Sequence, residues 1–258
     1  MTTEIAVTAT DPALLNKARQ LADQLGLPLH DHNTPPSPLL LQLTPRRLEL
    51  QPTGRRAPGP VYADFLSGKL SHRRRHGGGR RQHLARAVGL KGRQEVSVID
   101  ATAGLGRDAF ILADLGCRVL LLERNPVIHA LLADGLARAM AAPETAELVG
   151  KRMQLLTGDA LTFLEQRRCP AAEVIYLDPM FPERTKSSLV KKEMLVLRRI
   201  AGDDPDAGQL LARSLEKAGR RVVVKRPRLA PTLPGPPPSF SLSGKSSRFD
   251  VYLINRRP

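Results

Sequence analysis

Tryptophan is absent from this chain, and aromatic residues of all kinds make up 3% of it. So few rings argue against a sheet that stacks bases on rows of aromatics, the usual device of small RNA-binding domains. Cysteine is nearly as scarce. Cys117 and Cys169 stand alone, without metal-ligand spacing and too few for a disulfide framework. No His/Cys cluster is present to hold a metal. No apolar run approaches the ~18–20 residues of a membrane-spanning helix, and Met1-Thr2-Thr3-Glu4-Ile5 lacks the basic start and apolar centre of a signal peptide. The expectation is a cytosolic protein that works without a metal. Acids are in deficit as well: 25 Asp plus Glu face 40 Lys plus Arg, a formal net charge of +15. Such a balance favours polyanions, because each neutralised phosphate releases counterions.

What is present is α/β patterning. At 258 residues and 41% hydrophobic, the chain suits one large domain or a catalytic domain with an appendage. Residues 1–90 read as a small α+β module. A strand is expected over 4–8, then a helix opened by Asp11-Pro12 with Leu14, Leu15, Ala18, Leu21, Ala22 and Leu25 at helical spacing, stopped by Gly26. A hairpin follows over 39–43 and 48–50. From residue 91 to 258 the pattern alternates. Strands are expected at 96–101, 118–123, 153–157, 174–178 and 221–225. Helices are expected at 107–115, 126–140 and 160–167, with two more between 187 and 217. This alternation implies a doubly wound parallel sheet. A Pro-rich loop over 227–238 then leads to a closing pair at 239–242 and 249–254. Five parallel strands plus a terminal antiparallel pair is the Rossmann-like architecture of class I methyltransferases; dinucleotide-binding folds more often add a sixth parallel strand.

The motifs sit at strand ends. Asp100-Ala101-Thr102-Ala103-Gly104-Leu105-Gly106 closes the first strand of the larger fold, and Gly104 to Ala109 satisfies G-x-G-x-x-A, a weak signal shared with NAD binders. Gly104 and Gly106 let the backbone turn sharply and approach a ligand at a helix N-terminus. Asp100 could meet the ammonium of S-adenosylmethionine, which carries no phosphate. Glu123 ends the next strand, where it could accept both ribose hydroxyls, with Arg124 beside it at the adenosine rim. After the third strand, Asp159 could take the adenine amino group while the Ala160 amide reaches a ring nitrogen. Any one of these acids could instead be a helix cap. Three in order, followed by Asp178-Pro179-Met180-Phe181 after the fourth strand, form a pattern that NAD enzymes have no reason to show.

That last motif suits methyl transfer to an exocyclic amine. Such a nitrogen is a poor nucleophile because its lone pair is delocalised into the ring. The Asp178 carboxylate could accept one N–H and the Pro179 carbonyl the other, drawing the nitrogen toward tetrahedral geometry, while Phe181 stacks on the base. The competing possibility is a plain Asp-Pro turn with Phe181 in the core.

At these residues the chain resembles the bacterial 16S ribosomal RNA (guanine-N2)-methyltransferases of the small-subunit J family. The matching blocks are residues 64–80 (DFLSGKLSHRRRHGGGR), 98–110 (VIDATAGLGRDAF), 122–126 (LERNP), 175–182 (IYLDPMFP), 189–193 (LVKKE), 222–227 (VVVKRP) and 248–252 (RFDVY). The resemblance implies an S-adenosylmethionine-dependent methyl transfer to the 2-amino group of a guanine near the 3′ end of 16S rRNA. It also implies cofactor contacts at Arg107, Asp108, Glu123, Arg124, Asp159, Ala160 and Asp178. Two departures stand out. Family members can carry small hydroxyl residues where this chain has Asp159-Ala160, which shifts the adenine contact toward backbone amides. Met180 also replaces the second proline of the usual Asn/Asp-Pro-Pro-Tyr/Phe.

RNA contacts are expected from the basic, glycine-rich run 71–81, with Arg73, Arg74, Arg75 and Arg80 facing phosphate. Lys186, Lys191, Lys192 and Arg226 lie in segments leaving the fourth and fifth strands, on the substrate side of such a sheet. The expected partner is 16S rRNA or the small ribosomal subunit, bound by a monomer. Three alternatives remain at this stage: an adenine-amino methyltransferase on RNA or DNA, a non-catalytic RNA-binding assembly factor, and, least favoured, an NAD oxidoreductase.

Overall fold

The computed structural model describes residues 4–30, 36–67, 79–92, 95–167, 169–180 and 192–255. Two sheets organise them. The smaller contains β1 (Ile5–Ala9), β2 (Leu39–Leu43) and β3 (Leu48–Pro52), with β1 parallel to β2 and β2 antiparallel to β3. The expected hairpin is closed by Thr44, whose hydroxyl accepts from the Arg46 and Arg47 amides at 3.2 and 3.0 Å. Helix α1 (Leu15–Leu25) follows a single 3-10 turn capped by Asp11. It ends at Gly26, which takes the left-handed φ of 63° that a side chain resists.

The larger sheet has seven strands: β4 (Ser97–Asp100), β5 (Arg118–Glu123), β6 (Met153–Thr157), β7 (Val174–Leu177), β8 (Arg221–Pro227), β9 (Phe240–Ser243) and β10 (Ser247–Leu253). Their order is β6-β5-β4-β7-β8-β10-β9. The first five are parallel, and β10 runs antiparallel to both β8 and β9. This is the architecture expected from the sequence. The strand order reverses between β4 and β7, and ligands of open α/β sheets bind in the crevice at such a point. Strand β7 reads Val-Ile-Tyr-Leu without alternation because both its faces are covered.

Seven further helices complete the described chain: α2 (His83–Val88), α3 (Arg107–Asp114), α4 (Pro126–Ala141), α5 (Pro143–Arg152), α6 (Ala160–Glu165), α7 (Lys192–Ala201) and α8 (Ala207–Lys217). Two of them, α2 and α5, were not expected. Helix α2 has only six residues and follows a basic run. In α5 just Thr145 and Val149 are buried, so its apolar period is too thin to read. Among the described residues no helix is long and apolar enough to cross a membrane.

One continuous set of buried side chains runs from Val7 and Leu41, through Phe65 and Phe110, to Leu121 and Leu132. The rings of Phe65 and Phe110 stack with centroids 4.9 Å apart. Helix α4 presses onto the segment around Ala63, and Gly135 is what allows it. A Cβ at Gly135 would lie 2.5 Å from the Ala63 Cβ and 3.1 Å from its carbonyl oxygen. Arg138 donates to that same carbonyl. Gly135→Ala therefore gains about 1 kcal/mol of helix propensity but loses about 1–3 kcal/mol to overpacking. The variant should melt below the wild type; an equal or higher melting temperature would mean that this seam yields without cost.

Candidate functional site

A cleft of about 790 Å³ opens at the C-terminal ends of β4, β5, β7 and β8. Asp100 ends β4, Glu123 ends β5, Asp159 follows β6 and Asp178 follows β7, so parallel pairing alone brings these acids to one lip.

The turn after β4 is the first wall. Gly104 adopts φ 55°, with open space where a Cβ would stand. Its amide donates to Glu123 Oε2 at 2.9 Å, while Oε1 accepts from the Asn125 amide at 2.8 Å. Burial pushes the Glu123 carboxyl up, and these two amides oppose the shift. Gly106 (φ 71°) serves packing instead: its Cβ would stand 2.7 Å from the Leu132 side chain, behind the cleft. Asp100 is 2% exposed and accepts from the Thr102 amide at 3.2 Å. Burial, helped by the charges of Asp108 and Asp178, pushes its carboxyl up to about 8.

The second wall is an ionic cluster. Lys225 Nζ on β8 lies 2.7 Å from Asp108 Oδ2 and 2.8 Å from Asp178 Oδ2. The buried Tyr176 hydroxyl donates to Asp108 Oδ2 at 2.8 Å. Burial works against the Lys225 charge, but Asp178 and Asp108 outweigh it and hold the ammonium protonated above its ordinary range. The Asp178 carboxyl is raised by burial and pulled back by Lys225. Its amide donates to Thr102 Oγ1 at 2.6 Å, tying the two motif loops together.

The third wall comes from the α7–α8 region. Arg124 pairs with Asp204 and, at 2.8 Å, with Asp206. Asp204 Oδ2 also accepts from the Met180 amide at 2.6 Å, and Arg107 pairs with Glu193.

Ten residues singled out in the sequence line this one cleft: Asp100, Gly104, Arg107, Asp108, Glu123, Arg124, Asp159, Ala160, Asp178 and Pro179. Asp159 has a second duty, since Oδ1 caps α6 by accepting from the Thr162 amide at 2.9 Å. Phe181, Arg73, Arg74, Arg75, Lys186 and Lys191 lie outside the described residues, and Lys192 begins α7. Arg80 is exposed and donates to the Leu115 carbonyl at 3.3 Å.

Arg226 needs correction as an RNA contact. It is 4% exposed, and its Nε and Nη2 donate to the Pro231 carbonyl at 3.2 and 3.1 Å. Successive strand residues face opposite sides of a sheet, so Lys225 and Arg226 could not both point into the same rim. Lys225, Tyr176, Asp204 and Asp206 were missed. A signal existed for the first two: Tyr176 stands two residues before Asp178 and so shares its face, and a lone lysine closes an apolar strand. Among the described residues no group of His, Cys, Asp or Glu is arranged to hold a metal.

The model of a family described as "Putative SAM-dependent methyltransferase" matches residues 20–254. A Coxiella burnetii protein named ribosomal RNA small subunit methyltransferase J is 53% identical over 254 residues, covering 98% of each chain. A Marinobacter nauticus protein of the same name is 52% identical, covering 98% of this chain and 93% of its own. The crystal structure of a SAM-dependent methyltransferase from Neisseria gonorrhoeae superposes with a TM-score of 0.75 at 34% identity, covering 98% and 97% of the two chains.

The state of Asp100 has a consequence for stability. A carboxyl whose pKa is raised on folding to about 8 stabilises fully at low pH, and that contribution is lost as pH rises toward 8. The melting temperature of the ligand-free protein should therefore fall between about pH 5 and pH 8, and Asp100→Asn should flatten the slope. An identical slope in the variant would assign the titration to another group.

Proposed function

This chain belongs to the S-adenosylmethionine-dependent ribosomal RNA small subunit methyltransferase J family, and on that premise we propose that it methylates the exocyclic 2-amino group of a guanine in 16S rRNA. The observation that carries the reading is the position of Asp178, in the same cleft as the Gly104 turn and Glu123.

The donor set fits S-adenosylmethionine. Glu123 would suit the ribose of either cofactor, but a phosphate-bearing dinucleotide would also meet Asp100 and Asp178, whereas a sulfonium and an ammonium gain from them. In this reading Asp100 holds the ammonium, Glu123 the ribose hydroxyls, and Asp159 with the Ala160 amide the adenine edge. Arg107, Asp108 and Arg124 complete the rim. When bound there, the cofactor supplies an electrophilic methyl group on sulfur. Asp178 and the Pro179 carbonyl accept the two N–H groups of the target amine, and Phe181 stacks on the base. Fixing the nitrogen in line and excluding water is where much of the acceleration arises.

Outside the cleft, the +15 net charge supports docking on RNA phosphates. Arg73, Arg74, Arg75, Arg80, Lys186, Lys191 and Lys192 are the contacts of choice. Residues 1–90 act as an appended module and 91–258 as the catalytic domain of a cytoplasmic monomer.

Asp178→Ala separates chemistry from cofactor binding. Turnover on 16S rRNA should be abolished while S-adenosylmethionine affinity, read by calorimetry, stays within about tenfold, or about 1.4 kcal/mol. Loss of all cofactor affinity would instead place Asp178 among the groups that hold the cofactor.

A further inference from the structure

Lys225 bridges two carboxylates of the cleft, Asp108 and Asp178, and the reading above gives it no task. The pairing of β7 with β8 ends by matching Leu177 with Val224, which brings Asp178 and Lys225 side by side just beyond the last paired residues. Nζ bridges Asp178 Oδ2 and Asp108 Oδ2, at 2.8 and 2.7 Å. Asp108 Oδ2 is further fixed by the Tyr176 hydroxyl. Lys225 is thus held from two sides, and it holds Asp178 by one oxygen only.

We propose that Lys225 is a positioning residue for methyl transfer: it pins Asp178 through Oδ2 and leaves Oδ1 as the oxygen that accepts the N–H of the target amine. This rests on the methyl-transfer reading of the cleft. The charges facing Asp178 make the role concrete. Asp100 comes from β4, Asp108 from α3 and Lys225 from β8, with the neutral Tyr176 hydroxyl on β7 beside them and Arg226 acting from the opposite face of β8. The Arg226 guanidinium is turned onto the Pro231 carbonyl. Without Lys225, Asp108 and Asp178 would face each other beside the buried Asp100 with no cation bridging them, and the group would take up a proton to relieve the repulsion. A protonated Asp178 would present an O–H where the amine needs an acceptor.

The test is a pH profile of kcat on 16S rRNA. In Lys225→Met, kcat at neutral pH should fall by about tenfold or more with the KM for RNA changed less than about threefold, because positioning acts on the transition state. The acid limb of the profile should also move up by about one unit or more. Lys225→Arg, which restores the cation, should bring the limb back. Calorimetry with S-adenosylmethionine reports whether the cleft is intact. Lys225→Gln, which keeps a donor in the gap, replaces the Met variant if that one does not fold. A neutral variant with wild-type kcat and limb would overturn the proposal. So would a fall in kcat with an unshifted limb, since that is the mark of a merely structural residue. The methyl-transfer reading fails separately, only if the wild-type protein transfers no methyl group to 16S rRNA.

Discussion

Crowding of carboxylates at the C-terminal ends of adjacent parallel strands is the constraint to which the rest of this protein answers. Asp100, Glu123 and Asp178 reach one lip because β4, β5 and β7 pair in parallel. Each is stabilised by different means. Glu123 receives two backbone amides, Asp178 shares Lys225 with Asp108, and Asp100 is pushed toward its neutral form. The result is an acidic cleft inside a strongly basic chain. That division matches the two partners, a small cation within and a polyanion outside.

The same cluster links the walls of the cleft. Asp178 reaches the glycine-turn segment through Thr102, and Asp204 joins Arg124, just after β5, to the Met180 amide, after β7. Exposed ion pairs of this kind contribute little stability individually. Their value is in register: they set the segment after β7 against the turns after β4 and β5. The seam at Gly135 does similar work farther out, locking the chain near Ala63 onto the helix that starts beside Arg124.

Much of this was legible in the sequence because buried parallel strands read as apolar runs and their ends carry the chemistry. The five parallel strands, the closing antiparallel pair, the Gly26 stop and ten cleft residues were readable in this way. Local signals failed where the deciding contact was tertiary. Lys225 gains its partners only across β7 and from α3, and Arg226 was placed on a rim that the two-residue period of a strand denies it. Asp159 shows both possibilities at once, lining the cleft while it caps a helix.

The central claim is that this cleft directs a methyl group to the 2-amino nitrogen of a guanine in 16S rRNA. It is tested most directly by incubating the purified protein with 16S rRNA and S-adenosylmethionine carrying an isotopically labelled methyl group. The RNA is then hydrolysed and its nucleosides resolved by mass spectrometry. Label confined to N2-methylguanosine is the expected result. Label in N6-methyladenosine, or none in either nucleoside, would contradict it.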